Sequence, residues 1–263
     1  MLWQMQPAKL TAADRPLPIL TYHSLDDVGS VLSTSPAMFA RHLQVLREAG
    51  ANVLSLRHGV DLLRRGDLPE RALVITFDDG FRSVLQHGLP LLSRYGFTAT
   101  VFLVSGFVGQ SNSWPSQPAY VREQPLLDWP EIRELAAAGI DIGAHSHTHP
   151  HLTNLSGPEI EAEIVKSKHE IENRVGQRVE AFAYPYGGYD EAVLATAAAQ
   201  VSVACSADLG FARSTSNPLA LERLDVYYLR PPWAMRHLFS RPMRVYVAIR
   251  RAARELRRRA ARR

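Results

Sequence analysis

The 263-residue chain has a single cysteine, Cys205. That excludes an internal disulfide framework and any thiolate metal cluster built within the chain. No apolar run approaches the length of a membrane-crossing helix. Residues Met1 to Lys9 lack the basic-then-apolar order of a signal peptide, so a cytoplasmic protein is expected. Internal repeats are missing and no linker stands out before about Pro231. The expected organisation is an N-terminal extension over 1–16, one large domain over 17–230 and a basic tail over 231–263.

What is present is ordinary soluble composition, 46% hydrophobic and 21% charged, in a chain long enough to bury a full core. The net charge of +4 is unevenly placed. From Arg241 onward ten arginines stand against one glutamate, a local +9 that leaves −5 for the rest. With the apolar stretch Val245-Tyr246-Val247-Ala248-Ile249 at its start, this tail suits adhesion to anionic lipid headgroups at the inner face of a membrane. A merely solvated block of like charge is the plainer reading. Nothing in the acidic body supports nucleic-acid binding.

Apolar, β-branched runs alternate with amphipathic helical stretches. Strands are expected at Pro18–His23, Asn52–Leu56, Leu73–Phe77, Thr98–Val104, Ile140–Ala144, Glu180–Tyr184 and Val201–Cys205, with an eighth run at Leu224–Leu229. One helix is expected from Phe81 to Gly96, and Ser156 with Glu159 reads as a capping box for the longest helix. Such alternation implies parallel strands joined by right-handed crossovers. Seven or eight units point to an α/β fold, a distorted (β/α) barrel with its active site at the strand C-terminal ends.

The polar residues fall at those ends. His23, Asp78-Asp79, Ser105, His145 and Pro185-Tyr186-Gly187 each follow a strand, and in a parallel barrel they converge on one rim. His145, His147, His149 and His151 crowd seven residues. If that segment turns helically, His145 and His149 share a face, although spacing alone leaves every i, i+2 or i, i+4 pair open. Two histidines and a carboxylate suit a divalent metal with open positions. The other aspartate is then left to take a proton from the attacking water. His23, across the barrel mouth, is the candidate donor for the leaving group.

Thr76-Phe77-Asp78-Asp79-Gly80, His145-Ser146-His147-Thr148-His149-Pro150 and Tyr184-Pro185-Tyr186-Gly187 resemble successive motifs of the polysaccharide deacetylase family, carbohydrate esterase family four, over roughly Leu17 to Leu229. The resemblance implies one divalent ion, often zinc, with cobalt or nickel also used. It implies Asp78 as general base, Asp79, His145 and His149 as metal ligands, and a Tyr186 backbone N–H for the oxyanion, with Pro185 in the same motif. The usual arginine two residues before that proline is replaced by Ala183, and the late Leu-x-His is missing. Both departures resemble the permuted subgroup that deacetylates poly-β-1,6-N-acetylglucosamine, in which an N-terminal Tyr-His, here Tyr22-His23, supplies the acid. Arg223 and Asp225 are the candidates for orienting Asp78, and Trp129 for lining an acetyl pocket. The implied function is metal-dependent removal of N-acetyl groups from an amino-sugar glycan or lipid-linked sugar. Alternatives are a glycan-binding pseudoenzyme and an amidase acting on a non-sugar amide.

Overall fold

The computed structural model describes residues 11–12, 15–231 and 233–260, with backbone only for 258–260. Most of the expected N-terminal extension, and the tail beyond 260, lie outside the described residues. The strands are β1 Ile19–Tyr22, β2 Ser24–Leu25, β3 Ser33–Thr34, β4 Asn52–Leu54, β5 Ala72–Phe77, β6 Thr100–Leu103, β7 Asp141–Ala144, β8 Ala181–Ala183, β9 Val203–Leu209 and β10 Leu221–Asp225. The helices are α1 Pro36–Glu48, α2 Leu56–Arg65, α3 Leu89–Tyr95, α4 Trp129–Ala137, α5 Gly157–Val175, α6 Glu191–Gln200 and α7 Arg241–Ala260.

All six residues of β5 are buried, so this strand needs cover on both faces. Ala72 and Val74 face inward with Ile19, Phe102, Ala183, Val203 and Cys205. Leu73, Ile75 and Phe77 face outward under the helices. The sheet runs β5-β6-β7-β8-β9-β10-β1 and closes where β1 pairs with β5, Ile19 opposite Val74 and Tyr22 opposite Phe77. Every pairing in it is parallel, and β4 adds an eighth strand along the first half of β5. The result is a seven-stranded parallel barrel plus one strand. Leu56, Val60 and Leu63 of α2 pack into the interior beside Leu17 and Leu68, which precede β1 and β5. Gly59 permits that approach, since a Cβ there would stand 3.0 Å from Val74 Cγ2.

Three local expectations are corrected. The stretch from Phe81 to Gly96 is a π-helical turn over Val84–Gly88 followed by α3. Pro90 has no N–H to continue the α-helical ladder through that point. The eighth run stops at Asp225, whose side chain accepts from the Tyr227 N–H at 2.8 Å and turns 226–229 into a 3-10 helix. β9 starts later than expected and continues to Leu209. After residue 231, Met235, Leu238, Met243 and Val247 are buried in the core, and among the described residues no helix is long and apolar enough to cross a membrane.

Gly143 in β7 is hemmed in, because a Cβ would come 2.5 Å from Phe102 Cδ1 and 3.1 Å from the Ala181 carbonyl. Gly143→Ala should therefore lower stability by about 1–3 kcal/mol through overpacking, read as an earlier midpoint in urea. An unchanged midpoint would mean that the Phe102 ring moves aside freely.

Candidate active site

Because the strands run the same way, their C-terminal ends share one rim. β1 delivers His23, β5 delivers Asp78 and Asp79, β7 delivers His145, and β10 delivers Arg223 and Asp225. They line a cavity of about 230 Å³ together with His149, Tyr186 and Trp114.

Asp78 and Asp79 are almost fully buried, so each carboxylate must be answered locally. The Arg223 guanidinium crosses the barrel interior and grips Asp78 bidentately, both N–H···O distances being 2.7 Å. Arg223 also donates to the Ser206 carbonyl at 3.0 Å and to Thr76 Oγ1 at 3.3 Å. Burial alone would raise the Asp78 pKa. The Arg223 charge and hydrogen bonds, with His145 and His23, instead bring it well below the usual carboxylate range. Thus Arg223, from the last strand, holds the guanidinium that Ala183 cannot supply. Asp225 lines the cavity, but its carboxylate is spent on the Tyr227 turn.

Asp79 turns the other way. Its Oδ1 lies 3.4 Å from His145 Nε2 and 3.4 Å from His149 Nε2, and the two nitrogens are 3.2 Å apart. Zinc–ligand bonds of about 2.0–2.2 Å in a tetrahedron separate the ligand atoms by about 3.3–3.6 Å, so this triangle fits a divalent cation. The Ala183 carbonyl is only an acceptor, so His145 Nδ1 donates to it at 2.7 Å, leaving Nε2 with its lone pair toward the triangle. Burial and the neighbouring His145 push the His149 pKa down to about 3, which keeps that imidazole neutral. Burial also opposes charge on His145, but the Asp79 hydrogen bond and the two carboxylates raise it. Buried Asp79, His145 and His149 together could hold a metal ion.

The two histidines do not meet through a helical turn. Residues 145–150 form an irregular loop in which Ser146 and His149 have φ of 64° and 59°. Ser146 Oγ accepts from the His149 N–H at 2.9 Å. Glu163 of α5 accepts from the His147 and Thr148 N–H groups at 2.9 and 2.8 Å, and from the Thr148 hydroxyl at 2.6 Å. His147 points to Ser105 and Glu170, away from the triangle. His151 is exposed and stacks on Tyr186 with ring centroids 4.0 Å apart.

His23 does not stand across the mouth. The β1–β5 pairing puts it beside Asp78, with Nε2 4.0 Å from Asp78 Oδ2. Tyr186 lines the cavity in a left-handed conformation at φ 57°, in a turn opened by buried Pro185. Its hydroxyl donates to Ser116, whose own hydroxyl donates to the His149 carbonyl at 2.6 Å.

Trp129 is a correction. It begins α4 next to a capping box between Asp128 and Glu131, and its ring lies 5.7 Å from the Arg174 guanidinium. The tryptophan of the cavity is Trp114, whose ring sits 4.4 Å from His149. It is carried by the long 105–127 loop, pinned by buried Asn112 through Gln124 N–H and the Arg122 carbonyl. Ser116 and Trp114 had no sequence signal beyond the length of that loop, and Glu163 of α5 had none.

A family model described as polysaccharide deacetylase matches residues 65–203. YxkH of Bacillus subtilis (strain 168), which carries the same family name, is 30% identical over 182 residues, 69% of this chain and 60% of that protein. A Staphylococcus aureus (strain MRSA252) protein named poly-beta-1,6-N-acetyl-D-glucosamine N-deacetylase is 24% identical over 59% of this chain and 54% of its own length. The chain thus spans little more than half the length of these relatives. In fold it resembles the structure of IcaB from Ammonifex degensii, with a TM-score of 0.73 at 23% identity, covering 87% of this chain and 97% of that one.

Arg223→Met would leave Asp78 buried without its counter-charge. Breaking such a pair should cost about 3–5 kcal/mol in urea unfolding, and Asp78→Asn in the same chain should recover part of it. Additive losses in the double variant would mean that the two side chains are not energetically coupled.

Proposed function

The chain belongs to the polysaccharide deacetylase family, and from that premise we propose that it is a metal-dependent hydrolase removing N-acetyl groups from an amino-sugar polysaccharide, oligosaccharide or lipid-linked glycan. The observation that carries this reading is the buried Asp79, His145 and His149 triangle beside an arginine-held Asp78 in one cavity. The name of the Staphylococcus aureus relative supports an amino-sugar polymer as the substrate class.

Asp79, His145 and His149 would hold one divalent ion, with zinc the first expectation and cobalt or nickel alternatives. Such an ion supplies Lewis acidity toward the amide carbonyl and lowers the pKa of a water in its open position. Asp78, kept ionised and aimed by Arg223, is the base that takes the proton from the attacking water. The Tyr186 backbone N–H would add a donor for the oxyanion. An amine cannot leave as its anion, so the nitrogen must gain a proton as the tetrahedral intermediate collapses, and His23 is the donor.

The alternative of a glycan binder without turnover draws on the missing arginine at position 183. Arg223 reaches Asp78 by another route and removes that ground. We also read the arginine-rich C-terminal segment as a contact for an anionic membrane surface, holding the enzyme peripherally at the cytoplasmic face.

Metal analysis of the purified protein, with acetate release from a panel of N-acetylated amino sugars, tests the main reading. His145→Ala should abolish stoichiometric metal and acetate release, while His147→Ala should keep the metal. The opposite pattern would shift the ligand set by one pair within the histidine loop.

For the acid, His23→Ala should retain metal and lose about a hundredfold or more in acetate release from amides. It should lose much less on an activated aryl acetate, whose phenolate leaves without a proton. Equal losses on both substrates would make His23 a positioning residue for Asp78.

A further inference from the structure

The C-terminal segment is a 20-residue helix, α7, that packs on the barrel by one face only. Met243 and Val247 are buried, Tyr246 is half-buried, and Arg254 donates to the Ala207 carbonyl at 2.8 Å. On the opposite side Val245, Ile249 and Leu256 are 59%, 62% and 66% exposed. Exposed Ala248 and Ala252 fall between them. Positions 245, 249, 252 and 256 repeat at helical spacing, so these side chains form one continuous apolar ridge. At about 100° per residue Arg244, Arg251 and Glu255 lie on one side and Arg250 and Arg257 on the other, with Arg251 paired to Glu222 and Glu255 and Arg250 lying over the Tyr228 and Tyr246 rings. Exposed Trp233 sits beside the helix with its ring 5.2 Å from Tyr246.

We propose that α7 is an interfacial helix whose Val245, Ile249, Ala252 and Leu256 ridge inserts into an anionic lipid surface, holding the catalytic cavity beside that surface. This rests on the reading of the C-terminal segment as a lipid contact, and it specifies the face that makes that contact. An apolar strip on a helix with eight arginines and one glutamate fits an anionic lipid boundary, where acyl chains take the strip and the positive charge faces the phosphates. A second copy of the chain is a poor occupant, because pairing two such helices would bring eight arginines against eight with one glutamate each. Nucleic acid would leave the apolar strip unused.

The placement of α7 has a consequence for substrate. Near its start, Arg241, Pro242 and Arg244 border a cavity shared with Leu68 and Ala72, at the N-terminal end of β5. Farther along, Arg254 lines the catalytic cavity with Ala207 and Tyr186. The helix therefore climbs the full height of the barrel. Laid flat on a membrane, it sets the barrel on its side with the cavity mouth near the headgroups. An amino sugar tethered to that lipid surface meets the site without leaving it.

The test is co-sedimentation with vesicles of equimolar phosphatidylglycerol and phosphatidylcholine, against pure phosphatidylcholine, using the full chain and an Ile249→Glu/Leu256→Glu variant. Both positions are exposed, so circular dichroism and melting should match the parent. The parent should sediment with the anionic vesicles and not the neutral ones. The variant should bind at least about tenfold more weakly, because two apolar anchors are replaced by charges of the wrong sign. It should also lose acetate release from an N-acetylglucosaminyl glycolipid held in those vesicles, while soluble N-acetylated oligosaccharide is turned over at the parent rate. If parent and variant bind the anionic vesicles equally, the arginines act alone and the ridge is not inserted. If the parent binds neither vesicle, the lipid reading of the whole segment fails. If the parent is a dimer by ultracentrifugation and the variant a monomer, the ridge is a protein interface and the proposal falls.

Discussion

The bidentate contact between Arg223 and Asp78 is the constraint on which the site depends. A lone carboxylate inside an apolar barrel would be costly or would take up a proton. The guanidinium lets Asp78 stay charged there, at 2.7 Å through both oxygens. Because Asp79 is the next residue, fixing Asp78 toward β10 sends Asp79 toward His145 and His149 in the loop after β7. Two adjacent carboxylates are thus separated in role by what answers each of them. One has a permanent organic cation, while the other has two imidazoles, one of them kept neutral, arranged at the spacing of metal ligands.

The backbone around this pair is unusually bent for its residue types. Among the described residues, five non-glycine residues have positive φ, and four of them, Asp79, Ser146, His149 and Tyr186, belong to the site. Left-handed backbone at such residues costs of order 1–3 kcal/mol each and persists where the surroundings over-determine it. Here the surroundings can be named. Ser146 Oγ holds the His149 N–H, Glu163 holds two further N–H groups of the same loop, and Ser116 ties the His149 carbonyl to Tyr186. The strain at Ser146, His149 and Tyr186 is therefore carried by hydrogen bonds within the loop itself, from α5 and from the long 105–127 loop.

This explains what could and could not be read from the chain alone. The strands announced themselves through buried β-branched runs, and their shared direction placed His23, Asp78, Asp79 and His145 on one rim. The Ser156–Glu159 capping box is present as expected. Contacts across long separations left no local trace, and Arg223 meets Asp78 over 145 residues of chain. The choice between Arg223 and Asp225 needed the barrel's registration, and Trp114, which the sequence did not single out, needed the path of a loop. A helical turn would have put His145 and His149 on one face; they do lie together, but through a loop and not through such a turn. Both geometries bring i and i+4 together, so the pattern was informative although its supposed cause was not.

On the proposed function, barrel closure also changes how the acid and the base relate. With β1 paired to β5, His23 stands 4.0 Å from Asp78, on the neighbouring strand. Opposed placement is not required by the chemistry. In the tetrahedral intermediate of amide hydrolysis the attacking oxygen and the departing nitrogen are substituents of the same carbon, so their protons are handled within a small region. Two groups side by side can serve both atoms, provided each is held to its own direction. Arg223 does this for Asp78 by occupying both oxygens along one edge, leaving their remaining lone pairs for the attacking water. His23 has no comparable clamp and is about one-fifth exposed, which suits a group that must follow the leaving nitrogen outward. On the proposed function, the division of labour between the two follows from how firmly each is held.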